Sequence, residues 1–114
     1  DYSAVLDRAN EAGVGTLGIK AFAKGPWPST DDVSKADRPF GNWYEPVHDP
    51  DAIRERFDFV ASQGLTSVVS PGDPKLVSSV LAAADRYDEM SASAQRSLID
   101  AHRDDASPVP KRFR

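Results

Sequence analysis

The 114-residue chain contains no cysteine, one methionine and two histidines. The absence of cysteine excludes disulfides, thiolate nucleophiles and zinc sites built on Cys clusters. His48 and His102 lie too far apart in sequence to form a short metal motif, so no metal site is expected. No apolar run approaches the roughly 18 residues that cross a bilayer. A basic excess is lacking too: 14 Lys and Arg stand against 18 Asp and Glu, a formal net charge of −4. Nucleic acid and anionic membranes favour basic patches, so neither is an expected partner. Only the terminal "KRFR" is locally basic. What remains is one small domain with a core of its own, expected in the cytoplasm. The opening "DYSAVL" lacks Met, as an excised or processed piece of a longer protein would.

The apolar pattern then places the elements. Residues 3–12 read as a helix capped by Ser3, with Val5, Ala9 and Ala12 on one face and Gly13 just past the end. "GVGTLGI" has no polar alternation and reads as a strand over 14–20 buried on both faces, as in a parallel sheet. Residues 24–48 fit neither period and read as a long loop, with Trp27, Phe40, Trp43 and Tyr44 to pack it. Asp49-Pro50 supplies an N-cap and an N1 proline for a helix to about residue 63. Its stripe is Ile53, Phe57, Val60 and Ala61, and Gly64 ends it. "LTSVVS" is a second short strand. Asp73-Pro74 repeats the capping device for a helix to about residue 88, lined by Val77, Val80, Leu81 and Ala84. Ser91 caps a last helix to about residue 103, and residues 107–114 form an irregular tail.

Strands alternating with helices imply parallel pairing, hence an α/β fold. Two parallel strands alone leave outer edges with unpaired backbone groups. The pattern therefore fits part of a larger sheet or barrel. A self-contained fold whose loop covers the edges is the alternative.

Three stretches can carry chemistry. "GIKAFAKG" follows the first strand, where α/β proteins place ligands, and Lys20 and Lys24 can meet phosphate there. The plainer reading is two lysines reaching water. "SPGD" ends the second strand and opens a helix, whose free amides and dipole attract anions. Against that, such turns are common without ligands, and Asp73 can itself occupy the amides. "NWYEPVHDP" brings Trp43 and Tyr44, either as pocket walls or as pins for the loop. His48 near Glu45 is a possible acid or base. No Ser-His-Asp or paired-carboxylate arrangement follows from sequence proximity.

Taken together, "GVGTLGIKAFAKG", "WYEPVHDPDAI" and "GLTSVVSPGD" resemble the C-terminal part of an aldo/keto reductase, in a subgroup with Trp-Tyr-Glu-Pro and Pro-Gly-Asp stretches. The resemblance covers nearly the whole chain. It implies the C-terminal βαβα portion, strands seven and eight, of a (β/α)₈ TIM barrel. It implies a nicotinamide cofactor, NADP or NAD, that reduces a small carbonyl substrate. It assigns Lys20, Ala21, Phe22 and Lys24 to the pyrophosphate side, Gly72 and Asp73 to the adenosine phosphate, and Trp43 and Tyr44 to the substrate pocket. The family's usual cation in the eighth-strand turn and Asn in the eighth helix are missing, with Val80 near the Asn position. Its catalytic Asp, Tyr, Lys and His belong to earlier strands, so no catalytic residue is expected here. The competing expectation is a non-catalytic α/β interaction domain that pairs through its strand edges. Either reading allows the isolated chain to self-associate.

Overall fold

A computed structural model describes residues 2–28 and 35–109. Among the described residues it is a small mixed α/β domain of four helices and four short strands. In chain order these are α1 (Ser3–Glu11), β1 (Leu17–Gly18), β2 (Ala23–Gly25), β3 (Glu45–Pro46), α2 (Pro50–Ala61), β4 (Ser67–Val68), α3 (Pro74–Asp85) and α4 (Ala92–Ala101). The residues 110–114 of the expected tail lie outside the described residues.

The capping chemistry positions three of the helices. Asp49 accepts from the amides of Asp51 and Ala52 and caps α2, with Pro50 at the first helical position. Asp73 accepts from Lys75 N–H and caps α3, with Pro74 behind it. Ser91 accepts from Ala94 N–H and caps α4. The expected Ser3 cap is displaced by one residue: Tyr2 occupies the cap position, contributes no side-chain bond, and Ser3 lies inside α1. Gly13 and Gly64 follow α1 and α2 at φ +66° and +70°, the left-handed region where a Cβ is strained.

β1 and β4 are parallel neighbours, with Leu17 opposite Ser67 and Gly18 opposite Val68. Thr16 and Thr66 fasten their start, each amide donating to the other's hydroxyl. The pairing is much shorter than the expected 14–20 and 65–70 spans. Nor is it buried on both faces. Gly18 faces α2, where a Cβ would meet Leu65 and Val60. Strand alternation turns Leu17 and Ile19 to the opposite face, and they are 65% and 64% exposed. No further strand among the described residues covers that face or extends the pair.

Residues 29–34 of the expected long loop lie outside the described residues, and its described parts carry more regular structure than their composition suggests. β2 and β3 pair antiparallel at its base, with a bulge between Ala23 and Gly25. The alternating strand period was invisible because each partner is two or three residues long and the partners lie far apart in sequence.

The core gathers Phe22, Val47, Ile53, Leu76, Val80 and Ala83, with Phe57 and Val68 packed against it. Phe22 and Ile53 are covered almost completely, at 1% and 0% exposure. In α3 the inward stripe is Leu76, Val80 and Ala83, while Leu81 and Ala84 of the expected stripe are exposed. Both stripes have helical spacing. Packing against α2 and the loop residue Phe22 selects the one that contains Leu76. Hydrogen bonds rather than apolar burial secure α4: Gln63 donates to Gln95 Oε1 at 2.9 Å, and Gln95 donates to Met90 O.

Candidate functional site

Because β1 and β4 run parallel, the loops that follow them leave at the same edge of the pair. Residues 19–22 and 69–73 thus come to one end of the domain, and the 39–44 segment joins them there. Helix α3 begins at that edge, and its cap ties the three segments together.

Lys20 stands at φ +59°, the one non-glycine residue with positive φ among those described. A side chain in this region is strained and persists only where its surroundings hold it. Its carbonyl accepts from Ala23 N–H at 3.0 Å, closing a tight turn. Its ammonium lies 5.4 Å from the centre of the Trp43 ring, a cation–π arrangement. Trp43 in turn meets Tyr44 edge to face, ring centres 5.2 Å apart. Trp43 is exposed and Tyr44 buried. Lys20, expected on the phosphate side, and Trp43, expected in the substrate pocket, thus touch each other, and Tyr44 stands behind Trp43.

The remaining residues of the first loop have other duties. Lys24 pairs with Glu45 at 2.7 Å across the β2–β3 base. Phe22 is a core side chain, and its carbonyl accepts from Val47 N–H at 2.8 Å. Ala21 is half-buried against the core. Glu45 is thus engaged by Lys24, while His48 rests against the Phe40 ring at 5.4 Å. His48 is exposed, and its ring contact is with Phe40 rather than with Glu45.

Gly72 does not occupy the left-handed region, and a Cβ there would meet nothing within 4 Å. Its backbone is open to close approach, and conformational need does not explain the glycine. Next to it, Asp73 is buried and both of its oxygens are engaged. Oδ1 accepts from Lys75 N–H at 2.9 Å and Oδ2 from Gly41 N–H at 2.7 Å. The Gly41 amide, then the Lys75 amide and the Lys75 charge, hold its carboxyl below the usual carboxylate value, against the opposing effect of burial. Lys75 Nζ also donates to Pro39 O at 2.9 Å. Sequence reasoning gave Asp73 a cap and missed Gly41, because a contact across 32 positions leaves no local signal.

Two further polar residues escaped the sequence. Asn42 is 8% exposed, and its Oδ1 is enclosed without a hydrogen-bond partner among the described residues. Asp58 is buried in α2, accepts from Asp88 N–H and pairs with Arg54 at 3.5 Å. Asp58 serves the α3–α4 connection. His102 contacts Asp105 at 2.7 Å, and Arg56 reaches the same carboxylate at 4.0 Å. Among the described residues no group of three potential metal ligands assembles, and no helix is long and apolar enough to cross a membrane.

The edge as built offers one strained cation on an exposed aromatic platform, an open glycine backbone and a helix N-terminus already capped by a carboxylate. It can bind or border an anionic, partly aromatic ligand. Among its described residues no nucleophile–base pair is assembled. Comparison with protein-family models, with curated proteins and with solved structures finds no match to the chain.

Proposed function

We propose that this chain is the C-terminal part of an aldo/keto reductase-like (β/α)₈ barrel and supplies its strands seven and eight. Its work there is to border a nicotinamide cofactor, NADP or NAD, and a small carbonyl substrate. The observation that carries the reading is the parallel β1–β4 pair. One of its faces packs on α2, and its loops bearing Lys20 and Gly72 leave at one edge. The opposite face, with Leu17, Ile19 and Val69 exposed, is apolar where a barrel interior would be.

The residues present suit the phosphate side of such a cofactor in part. Lys20 can counter a phosphate charge and Gly72 admits close backbone approach. Trp43 offers a ring face beside them. Asp73 fits less well as a ligand, since its own carboxylate occupies the α3 amide and would repel a phosphate. It acts by fixing the turn. The bound cofactor would supply hydride to a carbonyl carbon, and a tyrosine from outside this chain would protonate the oxygen. Residues 2–109 contribute position and charge, and no catalytic group.

The second reading, a non-catalytic interaction domain, draws on the same exposed apolar face. Titration of NADPH and NADH, followed by tryptophan fluorescence at low and high salt, separates the two in the protein extended upstream of Asp1. Lys20→Ala should weaken binding and reduce its salt dependence, and Gly72→Val should weaken it by blocking approach. Wild-type binding by both variants would remove the cofactor assignment and leave the interaction domain.

A further inference from the structure

We propose that residues 39–42 form a strap latched across the N-terminus of α3 by Asp73 and Lys75, and that it is poised between a closed and an open position. The inference stands on hydrogen bonds within the chain and does not depend on the cofactor reading.

Two side chains of α3 and its cap hold the strap, and both grip its backbone. Asp73 Oδ2 accepts from Gly41 N–H at 2.7 Å, and Lys75 Nζ donates to Pro39 O at 2.9 Å. Both bonds involve a charged partner, the stronger class of hydrogen bond. The other oxygen of Asp73 keeps the helix cap. Helix start and strap closure therefore share one carboxylate. Phe40, half-buried against the core, also favours closure.

Asn42 works in the opposite direction. Closure encloses its Oδ1 without a donor. A buried amide oxygen that has lost water and gained no partner is destabilising, and lifting the strap returns it to water. The Trp27 indole N–H, 2.7 Å from Asn42 O, belongs to the same loop and braces the strap without anchoring it to α3. Trp43 follows Asn42 directly, so an open strap carries Trp43 away from Lys20 and uncovers that cation. Strong charged ties opposed by one unsatisfied acceptor make a segment that opens locally more easily than the helices it crosses.

Amide hydrogen exchange on the chain tests the latch. Asp73→Ser keeps one oxygen for the Lys75 amide and cannot reach Gly41. Gly41 should then exchange faster by about tenfold or more, with amides inside α3 such as Val80 and Leu81 unchanged. Asn42→Leu removes the unpartnered acceptor at similar volume and should slow Gly41 exchange. Lys75→Met leaves the cap intact, should also speed Gly41, and serves if Asp73→Ser does not fold. Gly41 exchanging in step with Val80 in wild type and in the latch variants would overturn the proposal. So would an Asn42→Leu variant whose Gly41 exchange is unchanged.

Discussion

Ile53, in the first turn of α2, is completely covered, whereas Ile19, one residue beyond β1, is 64% exposed. The two isoleucines represent two halves of the molecule. In the helical half, α2 and α3 clasp a shared core, Asp and Ser caps satisfy the helix starts, and Ser62 and Gln63 receive the α3–α4 connection. Met90 N–H donates to Ser62 Oγ at 2.8 Å, and that hydroxyl donates to Asp58 O at 2.7 Å. In the strand half, a two-residue parallel ladder carries Leu17, Ile19 and Val69 on a bare face. The same residue types are thus fully used in one place and left uncovered in the other. The difference marks where apolar side chains are covered within the domain and where they are left exposed.

Truncating the two isoleucines measures this directly. Ile53→Ala should destabilise the chain by about 2–5 kcal/mol, the range for a large core side chain whose loss leaves a cavity. Ile19→Ala should change stability by no more than about 0.5 kcal/mol, because the methyl groups it removes are already in water. Urea denaturation followed by circular dichroism gives both values. A large loss from Ile19→Ala would mean that the strand face is covered in solution, by a second copy or by the long loop. Light scattering on the same samples tells these apart, since only association depends on concentration.

Legibility from sequence divides along the same line. Asp49-Pro50, Asp73-Pro74 and Ser91 announced their helices because a cap acts over two or three residues and needs nothing distant. The strands did not reveal their length. Strand extent is set by the neighbours available to pair, and among the described residues β1 has only β4. β2 and β3 were hidden for a related reason: their partners are some twenty residues apart and their pairing is interrupted by a bulge. In α3 the helical period allowed two stripes, and the choice fell to Phe22, a residue the sequence had assigned to a ligand loop. At the site, Lys20, Trp43 and Tyr44 were each singled out, but the Lys20–Trp43 contact was not foreseen. Nor were the strap bond to Gly41 and the enclosed Asn42, because both depend on where a long loop lands.

A smaller effect bears on the tie between the 39–42 segment and α3, the Asp73 carboxylate. Its folded pKa is depressed, chiefly by the Gly41 amide and then by Lys75. The stabilisation it provides is therefore fully present above the unfolded carboxylate value of about 3.9 and fades as pH falls through the lower folded value. Unfolding free energy measured from about pH 5 down to about pH 2 should decline for wild type. In Asp73→Asn the decline should be shallower below about pH 4, because one proton-linked group is missing. Identical slopes would mean that the carboxylate gains nothing from its two amides. The 39–42 segment and the start of α3 would then not be joined through this group.

The smallest expected effect lies at the strand edge itself. Lys20 holds φ +59° without being glycine. Such a backbone costs about 1–2 kcal/mol for an ordinary side chain. Lys20→Gly would relieve that strain. It would also add about 0.5–1 kcal/mol of unfolded-state entropy and remove a cation–π contact worth about 0.5–1 kcal/mol at an exposed position. These nearly cancel, so the net change should be within about 0.5 kcal/mol. Lys20→Val has no such compensation, since a β-branched side chain in the left-handed region keeps the strain and loses the cation, and it should be clearly destabilising. Thermal unfolding of the two variants beside wild type reads the difference. Near-neutral glycine with destabilising valine fits a backbone held by its turn and by Trp43. If valine is tolerated as well as glycine, position 20 does not hold positive φ in solution, and Lys20 loses its claim to be a preorganised cation.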